Sequence, residues 1–572
     1  MMIIINELLR SFFMKKFISV FLCAAMLVSG MTAFASAAEN ELKVTVVNDL
    51  HLDLKDSTAE KVAKRNSVSE EYAHASSGGQ LPYESAAIIK AFLADAAKSD
   101  SDTVLMPGDL TTIGTVEEHT AFIALISEFE STTGKKIFVV PGNHDLFDVS
   151  LAEFEELYAD FGYGEALAND PDTASYTADL GNGYRLLAID STLPGNSPHG
   201  VNDKLVSWVK AQCTAAKADG KKLVAIMHHN LAPHIVLVDI FHPSAVVNNS
   251  STALADTLAD NGVKFIFTAH THDHDIAKYT SPDGNIIYDC VTTALNAYPC
   301  AYREVTFGEQ VTIETKNVTA VDASLLPDGI NENAMALAES DFLAYAKNCT
   351  YTGITATITA YTKPATLKKY IKTDDPELQA IIEPAIDKVC EAVQLPLYKE
   401  DEVQEGKSIE AMAENIGTTL PATEYANLVE VAVVIYQAHA EGDENYPAYT
   451  DEMIILQRAV AVVLNYALSD LNAENYSKVL AFVLDLLGVE LSQSIVDSIG
   501  GALEKFKGNE LLLTTALMPL LTRFSVDEAP ADNNVTLPGY ETVKEEFNFL
   551  QEVIDFFKGI IDFFRSIFAM LR

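Results

Sequence analysis

The sequence predicts a mixed α/β domain followed by a mainly helical region, and three observations carry that reading. Between Leu42 and about Lys316, short runs rich in β-branched residues alternate with segments whose apolar residues recur at three- and four-residue spacing, as in a sheet flanked by helices. After about Val321 the pattern turns to Ala/Leu/Glu-rich helical periodicity with few strand signals. In the first part, acid and histidine residues stand directly after the strand candidates, where an open α/β sheet gathers side chains around one crevice.

Met14-Lys15-Lys16, the apolar run Phe17 to Val28 and Ala35-Ser36-Ala37 read as a secretory leader cleaved before Ala38, so residues 1–37 predict export to the cell surface or medium. The apolar run falls short of the roughly 20 residues a spanning helix needs. Met1 to Phe13 precede this leader, the mark of an over-extended start or of a longer leader. Residues 38–320 form the α/β domain. Its strand candidates are Lys43 to Val47, Thr103 to Met106, Lys136 to Val140, Arg185 to Ile189, Lys222 to Met227, Lys264 to Thr268 and Asn285 to Val291. Its helix candidates are Ser85 to Ala97, Val116 to Glu130, Leu151 to Phe161 and Lys204 to Ala218. Residues 321–524 read as a helical accessory region, in which the Thr-rich stretch Thr350 to Pro364 could hold a strand pair. Residues 525–540, with Pro530, Asp532-Asn533-Asn534 and Pro538, read as a linker. In residues 541–572, Phe547, Leu550, Ile554, Phe557, Ile561, Phe564, Phe568 and Leu571 make an apolar helical stripe. Packing on its own protein or a partner helix is favoured over membrane contact, because the polar strip carries few cations to grip anionic lipid.

The 572 residues carry 39 Lys+Arg against 81 Asp+Glu, a net charge of −42, and losing the leader makes the chain more acidic still. That balance argues against any surface that neutralises an extended nucleic acid. With 48% hydrophobic residues, the chain is too apolar to be largely disordered. Beyond the leader, Cys213, Cys290, Cys300, Cys349 and Cys390 are an odd set without a Cys-x-x-Cys pair, which excludes a disulfide framework and a finger-type zinc site. Cys290 and Cys300 are close enough to bridge, with two free buried thiols as the preferred alternative.

The residues that carry chemistry follow successive strands. They are Asp49-Leu50-His51, Gly108-Asp109, Gly142-Asn143-His144-Asp145, His228-His229, and Ala269-His270-Thr271-His272. Imidazole with carboxylate and amide oxygen suits Mn²⁺, Zn²⁺ or iron better than a soft-thiolate site does. Two neighbouring ions need a shared carboxylate, for which Asp109 is the natural choice.

In this order, Asp-x-His, Gly-Asp, Gly-Asn-His-Asp, His and His-x-His resemble the calcineurin-like metallophosphoesterases, over about Leu42 to Ala277 with a trailing sheet to about Lys316. The resemblance implies a four-layer αββα sandwich and two divalent metal ions. It places Asp49, His51 and His272 on the first ion, Asn143, His228 and His270 on the second, and Asp109 between them. His229 could exchange with His228. His144 matches the histidine that faces the substrate, and Asp145 the acid that orients it. The implied chemistry is hydrolysis of a small phosphate ester by a water held between the ions, with His144 protonating the departing oxygen. Ala269 replaces the usual glycine before His-x-His. Thr112 stands where purple acid phosphatases carry a tyrosine, so no coloured iron–tyrosinate centre is expected. Gly108 to Gly114 with Glu117 and Glu118, and Ile189-Asp190-Ser191 with Gly200 and Leu205 to Val209, are similar to the class III cyclic-nucleotide and glycerophosphodiester phosphodiesterase branch. Phosphodiesters are therefore preferred over phosphomonoesters, and a binding protein without turnover is the third reading. An insert at Lys55 to Leu81 containing His74, and His234 and His242 after His228, are candidate substrate contacts; Asn230 and His199 are weaker ones. His119, His274 and His439 read as ordinary structural residues.

Overall fold

The computed structural model describes residues 41–54, 78–192, 200–235, 246–247, 251–326, 330–371, 373–398, 408–486, 525–527 and 529–540. The leader, His74 with residues 55–77 of the insert, His199, His242, and the apolar stripe of residues 541–572 lie outside the described residues.

In chain order the first part contains β1 (Leu42–Val46), α1 (Ser85–Ala96), β2 (Thr103–Met106), α2 (Val116–Thr133), β3 (Lys136–Val139), α3 (Leu151–Leu157), β4 (Ala168–Asn169), β5 (Tyr176–Gly181) and β6 (Tyr184–Ile189). It continues with α4 (Asp203–Ala218), β7 (Lys222–Met227), α5 (Ser251–Asp260), β8 (Phe265–Thr268), β9 (Asp275–Thr280), β10 (Ile286–Val291), β11 (Ala301–Phe307) and β12 (Gln310–Asn317). The helical part holds α6 (Glu332–Ser340), α7 (Phe342–Tyr361), α8 (Pro364–Tyr370), α9 (Pro376–Val393), α10 (Ile409–Asn415), α11 (Leu428–Glu441), α12 (Asp451–Leu468) and α13 (Ala473–Leu486), and β13 (Asn534–Pro538) follows it.

Two sheets form, with strand orders β13-β12-β11-β1-β2-β3 and β4-β5-β6-β7-β8-β10-β9. Strand periodicity of two explains how they layer. On β2, Leu105 points into the core between the sheets while Val104 and Met106 point at α1 and α2. On β7, Val224 and Ile226 enter the same central core while Leu223, Ala225 and Met227 face α4 and α5. Phe92, Phe122 and Phe154 seal the outer face of one sheet, and Leu205, Val209 and Leu258 that of the other. The result is the four-layer αββα sandwich. Strands buried on both faces have to be largely apolar, which is why β2 and β8 each read as an apolar run with a single threonine at one end. Helix α2 starts at a Thr115/Glu118 capping box and ends at Gly134, whose φ of 74° suits glycine. The helix expected over Leu151 to Phe161 breaks at Tyr158 into α3 and a 3₁₀ turn, Ala159–Phe161.

Three expectations need correction or completion. The Thr-rich stretch is helix, not strand. Thr352, Thr355 and Thr357 turn their hydroxyls back to the carbonyls of Asn348, Tyr351 and Gly353 at 2.8, 2.7 and 3.0 Å. Tyr345, Ala346, Cys349 and Ile354 meanwhile form the buried stripe of α7. The supposed linker contains β13, which pairs antiparallel with β12 from Gln310↔Pro538 to Glu314↔Asn534 and places Leu537 in the central core. Pro538 is tolerated there because β13 is an edge strand. Cys290 and Cys300 are buried free thiols, as are Cys213, Cys349 and Cys390.

Candidate metal centre

The site lies at the carboxyl ends of five parallel strands. Asp49 and His51 follow β1, Asp109 follows β2, Asn143 to Asp145 follow β3, His228 follows β7, and His270 and His272 follow β8. The first two loops are laced together, with Asp49 N donating to the Gly108 carbonyl at 3.2 Å, His51 N to that of Asp109 at 3.0 Å and Thr112 N to that of Leu52 at 3.1 Å. Asp49, His51, Asp109, His270 and His272 all take positive φ, at 49°, 44°, 49°, 74° and 61°. None is a glycine, so each turn carries backbone strain that its surroundings hold in place. Glycine is required where the loops touch. A Cβ on Gly108 would sit 2.6 Å from Gly142 N and 2.8 Å from His228 Nδ1, and one on Gly142 would overlap the Asp109 carboxylate.

Asp109 Oδ2 lies 3.3 Å from His228 Nε2 and 3.7 Å from His51 Nε2. Asp49 Oδ1 lies 3.6 Å from His272 Nε2 and 3.8 Å from His51 Nε2. His228 Nε2 is 3.1 Å from the amide oxygen of Asn143, and its Nδ1 is 3.0 Å from the Pro107 carbonyl, which aims Nε2 into the site. Four groups result, each with its potential ligand atoms within 4.8 Å of one another: Asp49/His51/His272, Asp49/Asp109/His228, His51/Asp109/His144 and His228/His229/His270. Asp109 joins the first side to the second. Both ring nitrogens of His51 are buried without a hydrogen-bond partner, a cost that a bound cation would relieve. Imidazole nitrogens with hard oxygens at this spacing fit two divalent ions.

Electrostatics keep the carboxylates ionised and divide the histidines. Burial by itself would raise Asp49, but His272 and His228 outweigh it and hold the carboxyl at about 2. Asp109, equally buried, is held well below the usual carboxylate range by His228 and His51. Burial drives His51 and His270 down to about 3, so both imidazoles are neutral donors. Burial also opposes charge on His228, yet Asp109 and Asp49 raise it to about 9.

The residues the resemblance selected converge, with one role changed. His144 stands edge-on to His51, ring centroids 4.9 Å apart, and its Nδ1 donates to the Thr112 carbonyl at 2.7 Å, leaving Nε2 for the site. Asp145 does not orient that ring. Its carboxylate accepts from the backbone of Leu110 at 3.2 Å, Thr111 at 3.0 Å and Gly142 at 3.0 Å, and from the Thr111 hydroxyl at 3.0 Å, so it clamps the Asp109 loop to the Asn143 loop. The other short range partner of that turn is His119, whose ring lies 3.0 Å from the Asp145 carbonyl and 2.9 Å from the Tyr158 hydroxyl. His234 is no substrate contact: it is buried between Asp275 and Asp289, at 2.5 and 3.1 Å. Asn230 holds the β8 end by donating to Thr268 and Ala269 at 3.0 and 3.1 Å. His229 Nδ1 lies 2.8 Å from the Ser191 hydroxyl.

Sequence reasoning missed two supports. Asn48 donates to Asp49 Oδ2 and to the Thr292 carbonyl, both at 2.7 Å. Asp289 accepts from Leu231 N at 2.7 Å, Ala232 N at 2.9 Å and the Thr268 hydroxyl at 2.6 Å, fixing the loop after His228. A buried polar residue inside an apolar strand, as Asp289 is in β10, was the available signal.

Residues 42–274 match the calcineurin-like phosphoesterase family. Over 214 residues this chain is 24% identical to a probable cyclic nucleotide phosphodiesterase of Rhodococcus erythropolis, covering 36% of this chain and 64% of that one. It is 26% identical over 178 residues to the glycerophosphodiester phosphodiesterase GpdQ of Enterobacter lignolyticus, covering 31% and 58%. It is 29% identical over 161 residues to a probable GpdQ of Arcobacter nitrofigilis, covering 27% and 54%. The chain thus spans between 54% and 64% of the length of these relatives.

Proposed function

We propose that this protein is a metal-dependent phosphohydrolase that cleaves small phosphodiesters at the Asp109-centred site. The observation that carries the proposal is the pair of adjoining His/Asp groups that share Asp109, with His144 at their edge. Two divalent ions bound there would supply Lewis acidity to a phosphate ester and to the water that attacks it. Asp49, His51 and His272 would hold one ion and Asn143, His228 and His270 the other, with Asp109 placed to serve both. His144 is oriented by its bond to the Thr112 carbonyl and presents Nε2 to the departing oxygen, to which it gives a proton. Asp145 acts through the backbone, keeping Asp109 and His144 in register. The names of the three relatives support diesters over the phosphomonoester alternative. The charge of −42 supports a small ester as substrate and opposes an extended nucleic acid. The basic and apolar leader supports export.

The test is turnover by the chain stripped of metal and reloaded with Mn²⁺ or Zn²⁺, on bis-p-nitrophenyl phosphate beside p-nitrophenyl phosphate. Metal-dependent cleavage that is faster on the diester is expected, and Asp109→Asn should lose both turnover and one equivalent of metal. Faster cleavage of the monoester would replace the diesterase by the phosphatase reading. Stoichiometric metal without turnover on either ester would leave a binding protein.

A further inference from the structure

Eight large apolar side chains are exposed among the described residues, and three of them follow site residues closely. Leu54 is 41% exposed and comes three positions after His51; Val116 is 51% exposed and follows Thr112 by four; Phe147 is 61% exposed and follows His144 by three. Hydrogen bonding brings their segments side by side. The Glu118 carboxylate accepts the N–H groups of Ile113 and Thr115, at 3.0 and 3.5 Å, and that of Leu54. The Thr112 carbonyl takes the His144 ring. A lone exposed apolar residue needs no explanation, but a concentration of them around a polar crevice marks a place where a ligand's apolar part rests.

Phe147 is the best placed of the three. Its ring centroid is 4.8 Å from that of His144 at an interplanar angle of 51°, and the His144 centroid is 4.9 Å from that of His51. His51, His144 and Phe147 therefore form a line of rings from the metal ligands outward. Phe147 thus packs against the ring whose Nε2 would meet the ester oxygen. A glycerol-like polyol would gain little from an exposed phenyl face, whereas a flat aromatic ring gains both burial and an offset or edge contact.

We propose that Phe147 is a specificity-determining residue, an aromatic platform that selects phosphate esters carrying an aryl or heteroaryl group. This rests on the phosphohydrolase reading and says which ester group the site prefers. Phenylphosphonate and methylphosphonate present the same anionic head without a cleavable ester, so their affinities isolate the ring. Binding of each to the Mn²⁺-loaded full chain is measured by calorimetry, for wild type, Phe147→Ala and Phe147→Tyr, with the metal content of each protein determined. Wild type should hold phenylphosphonate roughly tenfold tighter than methylphosphonate. Phe147→Ala should lose that preference while keeping its metal and its methylphosphonate affinity, and Phe147→Tyr should retain the preference. Equal affinity of wild type for the two phosphonates, or a preference that survives in Phe147→Ala, would overturn the platform alone. Metal-loaded wild type that bound neither phosphonate would overturn the phosphohydrolase reading together with it.

Discussion

Glu84 shows what burial does to one carboxyl in this protein. It has no solvent exposure, it accepts the Tyr345 hydroxyl, and burial lifts it from 4.5 to about 7 in spite of that bond. The sign of the resulting linkage follows from which state ionises first. Between pH 4.5 and about 7 the unfolded chain releases this proton while the folded chain keeps it, so stability falls as pH rises through that window and stays lower above it. Glu84→Gln preserves an acceptor for Tyr345 and has no proton to lose. Thermal melts of both proteins should converge near pH 4 and separate by about 2 °C or more at pH 8, with the variant the more stable. Parallel curves across the whole range would show that Glu84 ionises freely in the folded state.

At the scale of elements, β13 and the turn before it decide how the two parts of the chain are joined. Asp532 accepts Ile276 N and Asp443 N through its two carboxylate oxygens, at 2.9 and 2.8 Å, and Asp443 returns a bond to Asp532 N at 2.8 Å. Asp532→Ala would strand two backbone donors at a buried position, at a cost of about 1–3 kcal/mol each. Asp532→Asn keeps one of the acceptors and should destabilise less; chemical unfolding of the three proteins checks the order. This joint also shows why the sequence was legible in some places and opaque in others. The metal ligands could be found because each directly follows its strand, so strand period and residue chemistry sit in one short window. β13 could not, because its partner, β12, lies more than two hundred positions earlier and its own five residues include one proline and two polar side chains. The role of Asp145 was opaque for a similar reason: its acceptor bonds go to Leu110 and Thr111 on another loop, and nothing local distinguishes them from a bond to the adjacent His144. Threonine composition favoured a strand near Thr350, and burial of the α7 stripe overrode it.

For the whole molecule, hydrogen bonds and apolar packing cross the division at residue 320 that composition suggests. Arg303, fully buried in β11, donates to the Asp532 carbonyl at 2.5 Å as well as to Thr292 and Val291 at 3.1 and 2.8 Å. The carbonyl of His439 on α11 accepts His274 N at 2.7 Å, two positions beyond His272. Thr350 on α7 accepts Tyr298 N at 3.0 Å and donates to the Gly79 carbonyl at 2.7 Å. Helix α7 also supplies Tyr345 and Phe342 to the apolar layer over α1. Cutting after residue 320 would leave a buried guanidinium short of an acceptor, Glu84 without its hydroxyl donor, and the edge of β12 bare with the apolar surface under α7 and Leu537 uncovered. Residues 38–320 expressed alone should therefore be insoluble or lack a cooperative melt. The full chain should retain bound metal and lose it together with the helical part in one main transition. A soluble 38–320 fragment with a sharp melt and two equivalents of metal would show instead that the sandwich folds without its helical cover, and that α7, α11 and β13 merely rest on a site complete without them.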